Sequence, residues 1–258
     1  MDPRIGEIVG ELDRVVPVAG AEVIAFIDVF WQDYPPVARQ QHYTAFLATP
    51  AGFVRFGLEF LKAGLSPTVG KGADGDVVRL ELDYLLRQDS NLEFCCERVG
   101  RVWMGRVSRS RGPRVFDWEA ARNFARASWM PLLEELDRLV PTAEAEVLIT
   151  VPWERFPDVP VRGTEAGFLR FGLEFAKGSF APASKKGRNG GHVVSLDLDY
   201  LIGGDSEVEF DCERVEALPA DGDRRRSGER PGLCGLAALA ILVIGLVVLV
   251  RGCLIASP

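Results

Sequence analysis

The sequence predicts an α+β protein built as two tandem duplicated modules, followed by one C-terminal transmembrane helix. Three observations carry that prediction. AGFVRFGLEF at Ala51–Phe60 returns as AGFLRFGLEF at Ala166–Phe175. Four further blocks return around it in the same order: Glu11–Arg14 at Glu135–Arg138, Ala21–Val23 at Ala145–Val147, Val77–Leu85 at Val193–Leu201, and Cys96–Val99 at Cys212–Val215. Five collinear blocks mark an internal duplication, with copies of about 90 residues, each long enough for a modest core. Finally, Gly232–Val250 reads GLCGLAALAILVIGLVVLV, nineteen residues without a charged side chain.

Each module reads as α-β-α-β-β, and the copies justify the elements jointly. The first helix is ELDRVVP or ELDRLVP, ended by Pro17 and Pro141 because proline cannot continue a helix interior. A strand follows, clearest as EVLITV at Glu146–Val151, rich in β-branched residues. Thr49 and Thr164 are N-cap residues for the second helix, with Pro50 suited to its first position. Phe53, Phe56, Phe60 and Leu61 share one face of it, and Gly64 or Gly178 marks its end. Two alternating strands then form an antiparallel hairpin. Val78, Leu80, Leu82 and Tyr84 face one way, together with Leu92, Phe94 and Cys96.

The resulting plan is a first module over 1–99, a basic linker over 100–116 and a second module over 117–215. A juxtamembrane linker over 216–231, the span over 232–250 and a short tail over 251–258 complete it. A leading helix is expected after Asp117, in DWEAARNFARA. The linker GRVWMGRVSRSRGP carries four arginines and no acid, and reads as a solvated connection or a partner for acidic modules.

The apolar run is about 28 Å long as a helix, close to the hydrocarbon thickness of a bilayer, and apolar on every face. Arg224, Arg225, Arg226 and Arg230 precede it and only Arg251 follows, which places the modules on the cytoplasmic side. The N-terminal residues lack the basic-then-apolar layout of a signal peptide. The expectation is a tail-anchored, single-pass membrane protein whose partner, through 232–250, is the lipid bilayer.

Charge sharpens this division. The chain is −7 overall, but Met1–Asp223 holds 25 basic and 36 acidic residues, a net −11. Such a body repels phosphates, so no nucleic acid is expected. Five cysteines without metal spacing read as free thiols behaving as small hydrophobes.

Two repeated surfaces are candidate binding sites. The first is the outward face of the hairpin: Glu81, Asp83 and Glu93 in copy one, Asp197, Asp199, Glu209 and Asp211 in copy two. If Tyr200 pairs with Val208, Asp199 faces Glu209 and Asp197 faces Asp211, and like charges directly opposite call for compensation. Solvation or neighbouring arginines (Arg55 and Arg170, or Arg98 and Arg214) is the ordinary answer, and a basic protein partner the sharper one. A Ca²⁺ ion ranks last, because flat strand faces rarely wrap an ion. The second surface is the aromatic corner Trp31, Tyr34, Trp153 and Phe156, read as a core plug before a peptide groove.

Catalytic signals are thin. The two histidines, His42 and His192, have no counterparts in the opposite copy, and Gly70-Lys71-Gly72 lacks the hydroxyl residue of a phosphate loop. No cofactor or metal is implied. The function expected is a protein-interaction or scaffold unit; the alternative is a membrane-tethered hydrolase using acidic residues in a cleft between the modules.

Overall fold

In the computed structural model, residues 1–29, 42–72, 75–88, 90, 93–102, 113–124, 127–150, 158–187, 190–202 and 208–218 are described. The fold is α+β with two mixed five-stranded sheets and five helices. Copy one contributes α1 (Pro3–Val15), β1 (Val23–Val29), β2 (His42–Ala48), α2 (Pro50–Leu65), β3 (Gly70–Lys71), β4 (Asp76–Val78) and β5 (Glu93–Arg98). A linking helix α3 (Trp118–Phe124) precedes copy two. That copy has α4 (Met130–Leu139), β6 (Val147–Ile149), β7 (Asp158–Gly163), α5 (Glu165–Gly178), β8 (Lys185–Lys186), β9 (His192–Val194) and β10 (Val208–Arg214).

The module plan is therefore corrected from α-β-α-β-β to α-β-β-α-β-β-β. The added strands β2 and β7 lie directly before the capped helices. β7 hides behind its proline, since Pro160 inside a strand reads as a turn. It is nevertheless central, pairing with Cys95 of β5 while its carbonyl accepts from the Thr150 N–H at 3.2 Å.

The copies exchange strands. One sheet runs β1-β2-β10-β9-β8 and the other β3-β4-β5-β7-β6. Each seam is parallel: β2 on β10 with Thr44 beside Phe210, and β5 on β7 with Cys96 beside Val161. The other pairings between strands are antiparallel and within one copy, and isolated parallel bridges join Val23 to Leu86 and Val147 to Ile202. Each sheet thus takes two strands from one copy and three from the other. Met1–Leu218 forms one compact unit.

α2 and α5 form the hub. Thr49 Oγ1 accepts from the Gly52 N–H and Thr164 Oγ1 from the Gly167 N–H, the N-caps expected from sequence. The helices run antiparallel and touch backbone to backbone at Gly57 and Gly172, where a Cβ on either would overlap the other's carbonyl oxygen. Phe53, Phe56, Phe60, Phe168, Phe171 and Phe175 face the sheets and pack with Phe46 in one core. Phe46 and Phe56 meet edge to face at 4.7 Å, as do Phe60 and Phe171. Val54, Leu58, Leu169 and Leu173 face the other way, onto α1 and α4.

The hairpin needs a second correction. Val78 does pair with Cys96, and Val194 with Cys212, all buried as anticipated. But β4 and β9 end there. The chain turns at Asp83–Leu85 and crosses to β1 of the opposite sheet, where Leu85 O accepts from Val23 N–H and Arg87 N–H donates to Val23 O. Copy two repeats the crossing, with Val147 N–H donating to Leu201 O. Asp197 and Asp199 therefore lie outside any strand, and the facing pairs Asp199–Glu209 and Asp197–Asp211 do not form. Among the described residues no helix is long and apolar enough to cross a membrane, and Gly232–Val250 with its arginine flanks lies outside them.

Candidate functional site

The crossing is redirected by a buried carboxylate that the hairpin reading overlooks. Glu59 on α2 is buried, and its oxygens accept from the Glu81 N–H at 3.2 Å and the Tyr84 hydroxyl at 3.2 Å. The Glu81 N–H thus serves Glu59 instead of a strand ladder.

Arg55, Glu59 and Lys62 recur at i, i+4 and i+7, so they line one face of α2. Asp13 of α1 meets that face. Arg55 donates to Asp13 Oδ1 at 2.6 Å, to its backbone oxygen at 2.8 Å, and to Val16 O, closing the C-terminal turn of α1. Lys62 bridges Glu59 at 2.9 Å and Asp13 at 3.0 Å. Copy two rebuilds the cluster. Arg170 donates to Asp137 at 2.8 Å, Lys177 bridges Glu174 at 2.7 Å and Asp137 at 3.3 Å, and Tyr200 donates to Glu174 at 2.8 Å. Asp13, Arg55, Glu59 and Tyr84 come from repeated blocks and Lys62 stands two residues beyond one, which is the signal that could have found the cluster.

The copies differ in what lies over the cluster. In copy two, the Phe116 ring stands 5.6 Å from Lys177 Nζ, and Trp118 Nε1 donates to Asp137 Oδ2 at 3.1 Å. Phe116 and Trp118 pack edge to face at 4.7 Å, and Arg114 N–H donates to Asp197 Oδ2 at 2.6 Å. In copy one Lys62 and Asp13 side chains are 32 % and 42 % exposed, against 5 % and 17 % for Lys177 and Asp137.

Burial sets the titration of both clusters. Desolvation, then the Glu59 charge, pushes the Tyr84 hydroxyl up to about 12. For Lys62, burial works downward but is outweighed by Glu59 and Asp13, and the ammonium is held above its usual range. Desolvation raises the Glu174 carboxyl against the opposing pull of Lys177 and Tyr200. A carboxyl raised in the folded state contributes stability fully below its unfolded pKa of about 4.3, and that contribution is lost as pH rises through the folded value. Glu174→Gln keeps an acceptor for Tyr200 without the charge. The melting temperature of Glu174→Gln, relative to the native chain, is therefore expected to improve between pH 4 and pH 8. Parallel melting curves across that range check the sign.

The predicted acidic residues are not gathered into one constellation. Glu81, Asp83, Asp199 and Asp211 are exposed, while Asp197 is half-buried against Arg114. Glu93 and Glu209 sit on β5 and β10, beside Asp158 and Tyr43 in register, with side chains outside the described residues. The arginines proposed as compensators work elsewhere. Arg55 and Arg170 close α1 and α4, Arg98 donates to Gly64 O and Ser66 O, and Arg214 donates to Gly178 O, Ser179 O and Ala181 O. Trp31, Tyr34, Trp153 and Phe156 lie outside the described residues. Cys95 is exposed, and desolvation raises the buried Cys96 and Cys212 thiols, which leaves them protonated and unreactive. Among the described residues no group of three or more His, Cys, Asp or Glu could hold a metal ion.

The glycine loops also have a packing role. Gly72 lies against the Glu97 carboxylate, and Gly187 and Gly191 against Glu213, where a Cβ would collide. Gly191 N–H donates to Glu213 at 2.8 Å. No family model, curated protein or solved structure matches the chain.

Proposed function

We propose that the chain is a membrane-tethered protein-interaction unit whose strand-exchanged body presents acidic surfaces to a basic partner. The observation that carries the reading is the exposure of acids on both copies of one interlocked body: Asp83 and its equivalent Asp199, with Glu81 on copy one and Asp211 on copy two. A body at −11 favours encounter with cationic surfaces, and two related sites allow bivalent engagement. The tether is the nineteen-residue apolar run, with Arg224, Arg225, Arg226 and Arg230 on the cytoplasmic side and Arg251 beyond it.

The test uses the full chain in vesicles of neutral lipid, titrated with a lysine-rich peptide of about 20 residues. Charge reversal of Glu81, Asp83, Asp199 and Asp211 to Lys is expected to weaken binding by at least about ten-fold. Reversal of four other exposed acids, Glu7, Glu11, Glu119 and Glu216, changes net charge equally and is expected to retain most of the affinity. Equal losses in the two variants would reduce the effect to net charge and overturn the site. For the tether, Ile241→Asp with Val243→Asp is expected to shift the protein from the carbonate-resistant membrane fraction to the soluble one.

A further inference from the structure

The duplication supplies its own comparison: one charge cluster is covered by an aromatic segment and its twin is open. The covering segment is Arg114-Val115-Phe116-Asp117-Trp118. It makes three kinds of contact, each with a residue that copy one also has. The Phe116 ring lies over Lys177, whose equivalent is Lys62. The Trp118 indole N–H bonds Asp137, whose equivalent is Asp13. Arg114 holds Asp197 through its backbone N–H, with its guanidinium Nε 3.9 Å from Asp197 Oδ1, and the equivalent is Glu81. The receiving chemistry is thus a cation for a ring face, a carboxylate for an indole donor, and a second carboxylate for a basic residue two positions before the ring.

Copy one retains all of it with solvent access. Tyr84 is 43 % exposed where Tyr200 is 7 %. Lys62 is already held by Glu59 and Asp13, so it is oriented before anything docks, which lowers the ordering cost of binding. The chain's C-terminal residues 219–258 contain no Phe, Tyr or Trp and cannot supply the aromatic pair.

We infer that the open cluster of Asp13, Lys62, Glu81 and Tyr84 is a docking site for a partner protein segment of the form Arg-x-Phe-x-Trp. The segment lays its Phe over Lys62, donates its indole N–H to Asp13 and sets its Arg against Glu81. This deepens the interaction reading by naming a partner chemistry, and shares only Glu81 with the acidic surface above. The lysine-rich peptide, which has no aromatics, tests that surface alone, so the two readings fail separately.

The probe is a labelled peptide with the sequence of Pro113–Asn123, PRVFDWEAARN, titrated into the full chain in detergent micelles. Saturable 1:1 binding is expected, with Kd on the order of 100 µM or tighter. Replacing Phe and Trp in the peptide by Ala should abolish it. Lys62→Ala should weaken it at least ten-fold and Lys62→Arg should restore it; Lys62 is partly exposed, and a melting curve confirms that each variant folds. A Phe116→Ala/Trp118→Ala chain, which vacates the second cluster, should bind two peptides. Three outcomes would overturn the inference: no saturable binding to the native chain, binding indifferent to Lys62→Ala, or binding only to the vacated chain. Self-association that vanishes with Trp118→Ala would seat a second copy there and overturn the partner assignment.

Discussion

A Gly57→Ala chain is expected to lose about 3 kcal/mol of stability or more, enough to threaten a domain whose total is roughly 5–15 kcal/mol. Helix propensity argues the opposite way, because alanine in a helix interior is favoured over glycine by about 1 kcal/mol. Propensity loses here because the new Cβ would meet the Gly172 carbonyl oxygen and sit 2.9 Å from the Ala176 backbone nitrogen. Neither is the movable end of a side chain. Relief requires α2 and α5 to separate, which would loosen the phenylalanine core they share. Gly10→Ala is the control: it lies on the exposed face of α1 with nothing within 4 Å of the added carbon, and should gain up to about 1 kcal/mol. Denaturant unfolding of the two variants would settle the contrast, and a Gly57→Ala chain as stable as the native one would show that the helices do not meet as described.

Arg170→Met is expected to cost about 3–5 kcal/mol, the range for removing one partner of a buried ion pair. The methionine fills similar volume but leaves the oxygens of Asp137, Val140 and Pro141 without the donors that Arg170 supplies. At this chain length the loss corresponds to roughly 10 °C in melting temperature. Arg55→Met removes the same chemistry from copy one, yet its partner Asp13 is 42 % exposed and water can replace part of the lost interaction. The Arg55 variant should therefore melt above the Arg170 variant. The reverse order would contradict the difference in cover between the two clusters.

Local rules carried part of the fold. Thr49 and Thr164 were legible as N-caps because capping is decided within three residues, and Phe53, Phe56 and Phe60 because helical spacing places them on one side. The pairing of Val78 with Cys96 was legible from alternation. Its continuation to Tyr84 was not, because Glu59, more than twenty residues away, takes the Glu81 N–H that a ladder would need. The seams β2–β10 and β5–β7 join distant segments, and nothing in Thr44 or Phe210 alone names the other. The charge clusters stood in plain view as Arg55, Glu59 and Lys62 on one helical face. Repeated acids on an alternating run, such as Asp197 and Asp199, read more readily as a surface in need of explanation than one face of a helix does.

The exchange of strands also sets an order of events. β2, at His42–Ala48, cannot complete its sheet until β10, at Val208–Arg214, has been made more than 160 residues later. At a synthesis rate of about 5–20 residues per second, the first half waits roughly 10–30 s on the ribosome with β2 paired to β1 alone. Such distant pairing slows folding and leaves an adhesive edge in the meantime. Gly232, where the apolar run begins, follows Arg214 by 18 residues, about 1–4 s of synthesis. Closure of the body and emergence of that apolar run therefore fall within the same few seconds.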